Sequence, residues 1–589
     1  VAATRTDRVA TVGVVAFALV LPLAASPLAT DSTFASRLLV TAIGIGLAAL
    51  IPSRNRLPRP VLWALAAGLA VFIAAALAGA TPVLSLLGRY PRYEGLVTVL
   101  GYAGALVAGV RLLGPDRPQS RDLFYSASSL AAVITAGLAL VQAVLRPDER
   151  VTALLGNSSV LGTWAAVVAC LLGWNLLRTR RALWIAGFAA ALLTVLLSAS
   201  RGAMLAIAVA CLAAALLGRW AKPRPAAWLP LGLAGAFGAA AWLLPSVRGR
   251  LTGSTPFAEA TVSGRTVLWS DSWQLVTANP LLGVGPSRFV DTIGAFHTVS
   301  WAASVGPYAP PDSPHNLTLQ VLAATGAAGL VAVTGFLVVV VAALWRRRPW
   351  DAWTAAAGLA TLASGIAYLF SFTDPLTTTI ALVCLGGALA DRGTGKHRFP
   401  TSILVGAWAA VAMVLAASTL LAEARFSSVV SGPAPTTNDV LEVASVRPWD
   451  PDLTRRLGHA VARLAEQGIV DPAPAIPAVS DACRALVSST ECLHTLGDLQ
   501  ALAGDPESSV QTLTVALSLD PTNVDTLLKR GIAHAEAGDA EAAEADLLWA
   551  AALRPTAPEP WENLAILYQQ TGRADDALSA AARAEELRR

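Results

Sequence analysis

Thirteen apolar stretches, centred near residues 19, 44, 70, 104, 134, 168, 190, 211, 234, 330, 362, 382 and 411, dominate this chain. A helix needs about 20 apolar residues to cross a bilayer. In hydrocarbon every backbone N–H and C=O must be satisfied within the protein, and a helix achieves this inside one segment. The stretches therefore predict an all-α fold, a polytopic transmembrane bundle of about thirteen spans. The charge content supports lipid as the solvent: 14% of residues are charged, against about 25% in ordinary soluble domains. The first stretch is placed like a signal peptide. A second span follows it at once, so it reads as a retained first helix.

Cations orient such a bundle, because Lys and Arg accumulate in cytoplasmic loops. With Arg5 and Arg8 inside, the inner loops carry Arg54/Arg56/Arg59, Arg111/Arg117/Arg121, Arg178/Arg180/Arg181, Arg219/Lys222/Arg224, Arg346/Arg347/Arg348 and Arg392/Lys396/Arg398. Each of these six loops holds a cluster of three. An odd span count then puts the tail outside, together with a long loop at about 244–314. Left on the outer side are Arg89, Arg92, Arg201, Arg248, Arg250, Arg265 and Arg288, which the topology rule does not require. The net charge of +4 is small and no basic tract is interleaved with aromatics, so no nucleic-acid partner is implied.

The tail repeats itself. Gly504, Gly538 and Gly572 are spaced by 34 residues, as are Gly497 and Gly531, and Pro521 and Pro555. Small Ala542, Ala543 and Ala577 allow close helix crossings. This period resembles the tetratricopeptide repeat (TPR), two helices per unit. It is clear over about 490–589, with a degenerate unit at "VRPWDPDLTRRLGHAVARLAEQG" before it. A stacked array offers a concave face to a protein or polymer partner. Between these units lie Cys483 and Cys492, in polar sequence placed outside, where a disulfide is expected. The other three cysteines, Cys170, Cys211 and Cys384, sit in apolar runs as small hydrophobes.

No P-loop, HExxH or GxSxG occurs, and the one DxD, Asp450–Asp452, reads as a helix cap. Polar chemistry gathers in the outer segments: "GRYPRYEGL" (88–96), "SASRGA" (198–203), "GR…W" (264–269), "NPLLGVGPSRF" (279–289) and "HN" (315–316) followed by "TGAAGL" (325–330). In "SASRGA", Gly202 is expected to allow a tight bend. Several Arg side chains with a His on one face point to an anion site.

These segments, in this order and with a weaker one at "NSSVLGT" (157–163), resemble the O-antigen ligase/polymerase superfamily of membrane glycosyltransferases over roughly 80–390. The resemblance implies a GT-C-like bundle in a bacterial inner membrane. It implies a polyprenyl-diphosphate-linked glycan as donor, a hydroxyl on a glycan, lipid or protein as acceptor, and neither metal nor cofactor. Arg201 and Arg265 match the family's functional arginines and His315 its histidine, the expected proton acceptor; the three are expected to line one outer cavity. Arg92, Arg288, Asn316 and Glu94 are expected substrate contacts, with Glu94 an alternative base. The domain reading follows: 1–425 a glycosyltransferase-like membrane domain, 426–489 a linker and degenerate repeat, 490–589 TPR-like repeats. Ligase, polymerase and protein O-oligosaccharyltransferase share these marks. Transporters usually show inverted repeats and mid-membrane charges, and a mere anchor for the repeats needs no outer arginines.

Overall fold

The structure, a computed structural model, describes residues 5–25, 33–252, 256–305, 311–397, 401–432 and 435–589. Arg398 and the side chains of Arg250 and Lys396, all singled out above, lie outside the described residues. The fold is helical, and its described strands are one short antiparallel pair, Ser53–Arg56 with Asp391–His397. Each of the thirteen apolar stretches falls on a helix. By length and composition seven of them can cross a membrane, and five more are shorter apolar helices of 10–17 residues. The remaining one, Ala352–Tyr368, is Ala-rich and falls outside both groups.

The chain forms two compact units. The first comprises 1–74, 86–258 and 315–420; the second comprises 75–85, 259–314 and 421–589. In the first, the helix Ser158–Leu176 is the most enclosed of the seven long apolar helices, with 83% of its apolar window buried. Its Trp164 is fully buried in one apolar cluster with Trp184, Phe17 and Phe124. Small residues set the helix crossings. A Cβ on Gly109 would lie 1.9 Å from the Val383 carbonyl, and one on Gly386 would lie 2.0 Å from that of Leu106. Helices Leu96–Leu112 and Thr377–Leu389 therefore touch backbone to backbone, as membrane helices do where small residues meet. The helix Leu317–Arg346 has only 11% of its window buried and turns Val331, Val338 and Val341 outward, a lipid-facing surface.

The six cation-rich loops meet at one end of this unit. The strand pair joins 53–56 to 391–397, and the Asn55 amide donates to Asp116. Arg121 pairs with Asp351 at 3.1 Å, Arg181 with Asp122 at 3.1 Å and Arg347 with Asp391 at 2.6 Å. The Lys222 N–H donates to the Trp350 carbonyl at 2.8 Å. Helices that carry these loops to a common end must run alternately up and down.

In the second unit the helices Thr490–Leu502, Pro506–Leu519, Val524–Glu536, Ala540–Leu553, Glu559–Gln570 and Ala574–Arg588 form three hairpins. Gly504, Gly538 and Gly572 take φ of +81°, +86° and +77°, a left-handed turn between paired helices. Asp505 and Asp539 then cap the following helices through Ser508 and Ala542 N–H. Gly497 and Gly531 lie against Leu513 and Leu547, where a Cβ would come within 2.8 and 3.1 Å. In the degenerate unit, Asp450 caps the helix Pro451–Glu466 and Asp452 pairs with Arg455 at 3.0 Å.

Cys483 and Cys492 are joined by a disulfide with Cα atoms 5.4 Å apart, and Cys170, Cys211 and Cys384 are buried free thiols. The bridged segment packs in the cluster of Val479, Leu486 and Leu496. By loop-closure entropy, opening so short a loop costs about 2–3 kcal/mol. Reducing the full-length protein is expected to speed limited proteolysis between 476 and 499. Unchanged cleavage after reduction would mean that the apolar cluster holds this segment alone.

Candidate functional site

The "GRYPRYEGL" segment is a loop closed on itself. Gly88 has φ of +87°, and a Cβ there would lie 2.5 Å from the Tyr93 carbonyl carbon. A Cβ on Gly95 would lie 2.3 Å from the Gly88 nitrogen. Only two glycines back to back permit this closure. Tyr93 N–H donates to the Arg89 carbonyl at 2.7 Å, and Thr98 Oγ1 to that of Tyr93 at 2.6 Å. Arg89 is buried inside the turn, whereas Arg92 and Glu94 are left half-buried at its rim.

The "HN" pair starts the helix Leu317–Arg346. Asn316 is its N-cap, with the side-chain oxygen accepting from Leu319 N–H at 3.1 Å. His315 takes φ of +50°, a left-handed geometry that costs about 1–2 kcal/mol outside glycine. Histidine and asparagine tolerate that region better than most residues. The bend turns the imidazole onto Phe372, ring centroids 5.4 Å apart. The Arg92 guanidinium lies over the same phenyl ring at 3.5 Å. Glu94 accepts from Thr373 Oγ1 at 2.8 Å and from the Gln320 amide, one turn beyond Asn316. In the "TGAAGL" segment the same helix breaks at Gly326, φ +63°, which only glycine holds comfortably.

Arg201 belongs to the same unit. In "SASRGA" the bend is made at Ala199, φ +48°, after which Ser200 caps the helix Arg201–Leu217 through Ala203 N–H. The expected bend at Gly202 is thus corrected: Gly202 is helical. Its role is contact, a Cβ there lying 3.4 Å from the Ala367 carbonyl and 3.5 Å from Phe370 Cβ. Arg201 therefore starts its helix beside the loop that carries Phe372. "NSSVLGT" locks to the same bend, since a Cβ on Gly162 would lie 2.6 Å from Ser198 Oγ and 2.8 Å from Ser200 Cβ. His315, Arg92, Glu94 and the start of the Arg201 helix thus gather around the loop 369–376, between helices whose other ends hold the cation-rich loops. Phe372, Thr373 and Gln320 escaped the sequence reading. The signal was the polar break "SFTDP" between two apolar runs.

Arg265 and Arg288 belong to the second unit. Arg265 is half-buried on the helix Pro256–Ala278, one turn before Trp269, whose indole N–H donates to the Pro314 carbonyl at 2.8 Å. The turn at 283–287 has left-handed Gly283, Gly285 and Ser287. Arg288 follows it, 3% exposed, donating to Thr81 Oγ1 at 3.0 Å and the Val487 carbonyl at 3.3 Å. Its guanidinium is engaged in holding the loop.

A helical membrane bundle with a polar site at one end and a TPR tail defines a multi-pass membrane protein with an extramembrane repeat domain. Residues 186–334 match the family model described as O-antigen ligase, so the chain carries an O-antigen ligase domain there. That match supports membrane glycosyl transfer in O-antigen or polysaccharide synthesis, with a lipid-linked glycan as substrate. The matched stretch contains Arg201, Arg265, Arg288, His315 and Asn316, while Arg92, Glu94 and Phe372 lie outside it. A comparison with curated proteins gives no match. Among solved structures, a crystal structure of MamA protein is 18% identical, covering 26% of this chain and 80% of that one, with a TM-score of 0.23. TTC0263, a thermophilic TPR protein of Thermus thermophilus, is 25% identical, covering 30% and 84%, with a TM-score of 0.20.

Proposed function

We propose that this protein transfers a glycan from a polyprenyl diphosphate to an acceptor hydroxyl at the outer face of a bacterial inner membrane, as a ligase. The observation that carries the reading is the meeting of His315, Arg92 and Glu94 on the Phe372–Thr373 loop. A cation, a proton acceptor and a hydroxyl-binding carboxylate are the groups that this displacement needs.

The acceptor oxygen attacks the anomeric carbon, and its proton passes to the His315 imidazole. The anomeric C–O bond breaks on the opposite side and its electron pair leaves with the diphosphate, so the configuration inverts. Arg201 and Arg265 stabilise the charge that develops there. Guanidinium remains protonated at any working pH and grips phosphate through paired N–H donors, so this chemistry needs no metal. Arg92, fixed over Phe372, orients the donor. Glu94, held by Gln320 and Thr373, positions hydroxyls of the glycan.

The test of function is the lipid-linked glycan in a deletion strain. Accumulated long chains support a ligase; accumulated single units would replace ligase by polymerase; an unchanged pool would remove the transfer reading. The proposed orientation has thirteen spans, the N-terminus inside and the tail outside. Reporter fusions after residues 55 and 115 are expected to read cytoplasmic, and one after 440 external. A cytoplasmic signal at 440 would overturn that span count.

A further inference from the structure

The outer segment after Arg288 does not end free; it is strapped along the tail within the second unit. Arg288 donates to the Val487 carbonyl. Nine residues on, His297 Nδ1 lies 3.2 Å from Asp520 Oδ2, with the two side chains 2% and 3% exposed. The imidazole stacks on Trp301, centroids 4.5 Å apart and planes at 11°. Ala302 then joins Leu517, Val524, Leu527, Ala550 and Leu553 in one apolar cluster. Gly294 makes room for the contact, since a Cβ there would lie 3.0 Å from Asp520 Cβ.

Within the tail, Asp520 Oδ2 also accepts from the Asn523 amide at 3.1 Å. The position 34 residues later is Arg554, which ends its helix with nearly the same backbone, φ and ψ of −132° and 77° against −143° and 83°. A carboxylate is therefore dispensable for this helix end. Here it faces a buried imidazole from another element. Buried Asp271, on the helix that carries Arg265, completes the setting. Burial pushes its carboxyl above the usual range, while His297 and Thr298 draw it down and Asp520 raises it further. The His297–Asp520 pair is thus a dry contact, where removing one partner costs more than the pair itself contributes.

We infer that the TPR tail acts as an internal clasp, in which Asp520 and His297 are positioning residues that fix the outer loop bearing Arg265. This rests on the proposed role of that loop in glycan transfer. The test is hydrogen–deuterium exchange on the full-length protein in detergent, with transferred and lipid-linked glycan measured in a deletion strain carrying each variant. His297→Ala and Asp520→Ala should each speed exchange at 289–302 by about 10–100-fold, the worth of one charged hydrogen bond. The double variant should add little, because both remove the same contact. Asp520→Asn keeps an acceptor and should restore most of the protection and transfer. Exchange in Glu559–Gln570 and Ala574–Arg588 should stay as it was. Three results would overturn the clasp: unchanged exchange at 289–302, equal acceleration throughout the tail, or full transfer despite a released segment. The transfer reaction itself stands or falls separately, on the lipid-linked glycan pool of the deletion strain.

Discussion

His315→Ala is expected to lower glycan transfer by about 10²–10⁴-fold, the usual worth of one proton acceptor, while leaving insertion and folding intact. The ring is half-buried and rests on Phe372 at a helix start, outside the buried clusters that hold the bundle. Its removal therefore takes little packing with it. Backbone geometry complicates the alanine variant, because His315 sits at φ of +50° and alanine is strained there. His315→Asn separates the two effects. Asparagine accepts the left-handed bend but cannot take a proton. Both variants should lose transfer alike. If His315→Asn retains full activity in purified protein, the residue shapes the chain and Glu94 becomes the base to test, through Glu94→Gln.

The same residue marks where sequence reading ends. Helices were legible because a helix satisfies its backbone within one apolar segment, and the common end of the loops because six of them each collect three cations. The TPR tail was legible because Gly504, Gly538 and Gly572 recur at 34 residues and each takes positive φ. The Arg, His and Glu side chains that gather at the loop 369–376 were visible in the sequence as candidates. Their neighbours were not. Phe372 carries no charge, and nothing in "SFTDP" reveals that its ring will bear both His315 and Arg92. Pairings across 226 to 279 residues, such as Glu94 with Gln320 and Thr373, depend on helix packing and leave no local pattern. Arg288 adds contacts the sequence did not reveal, to the Thr81 hydroxyl and the Val487 carbonyl. The bend in "SASRGA" likewise falls on Ala199, because glycine there serves close contact with 367–370 instead.

Arg265→Lys should be nearly as damaging as Arg265→Ala, with transfer falling by about 10²–10³-fold in each, the usual loss when one donor to developing charge is removed. Retention of the positive charge alone predicts the opposite, so the comparison is informative. A leaving diphosphate presents oxygens in pairs, and a guanidinium meets them with two parallel N–H donors in a fixed plane. An ammonium offers a single, strongly hydrated point that must shed water to replace either bond. Trp269, one turn along the same helix, fastens that helix to the Pro314 carbonyl. A lysine at 265 therefore cannot rely on the backbone moving to restore the contact. Added guanidinium should partly recover transfer in Arg265→Ala and leave Arg265→Lys unaffected, because lysine fills the space the small cation would take. Transfer by Arg265→Lys at the parent rate would remove paired phosphate binding from the mechanism. Arg201→Lys would then be the remaining test of whether arginine at this membrane face does more than carry charge.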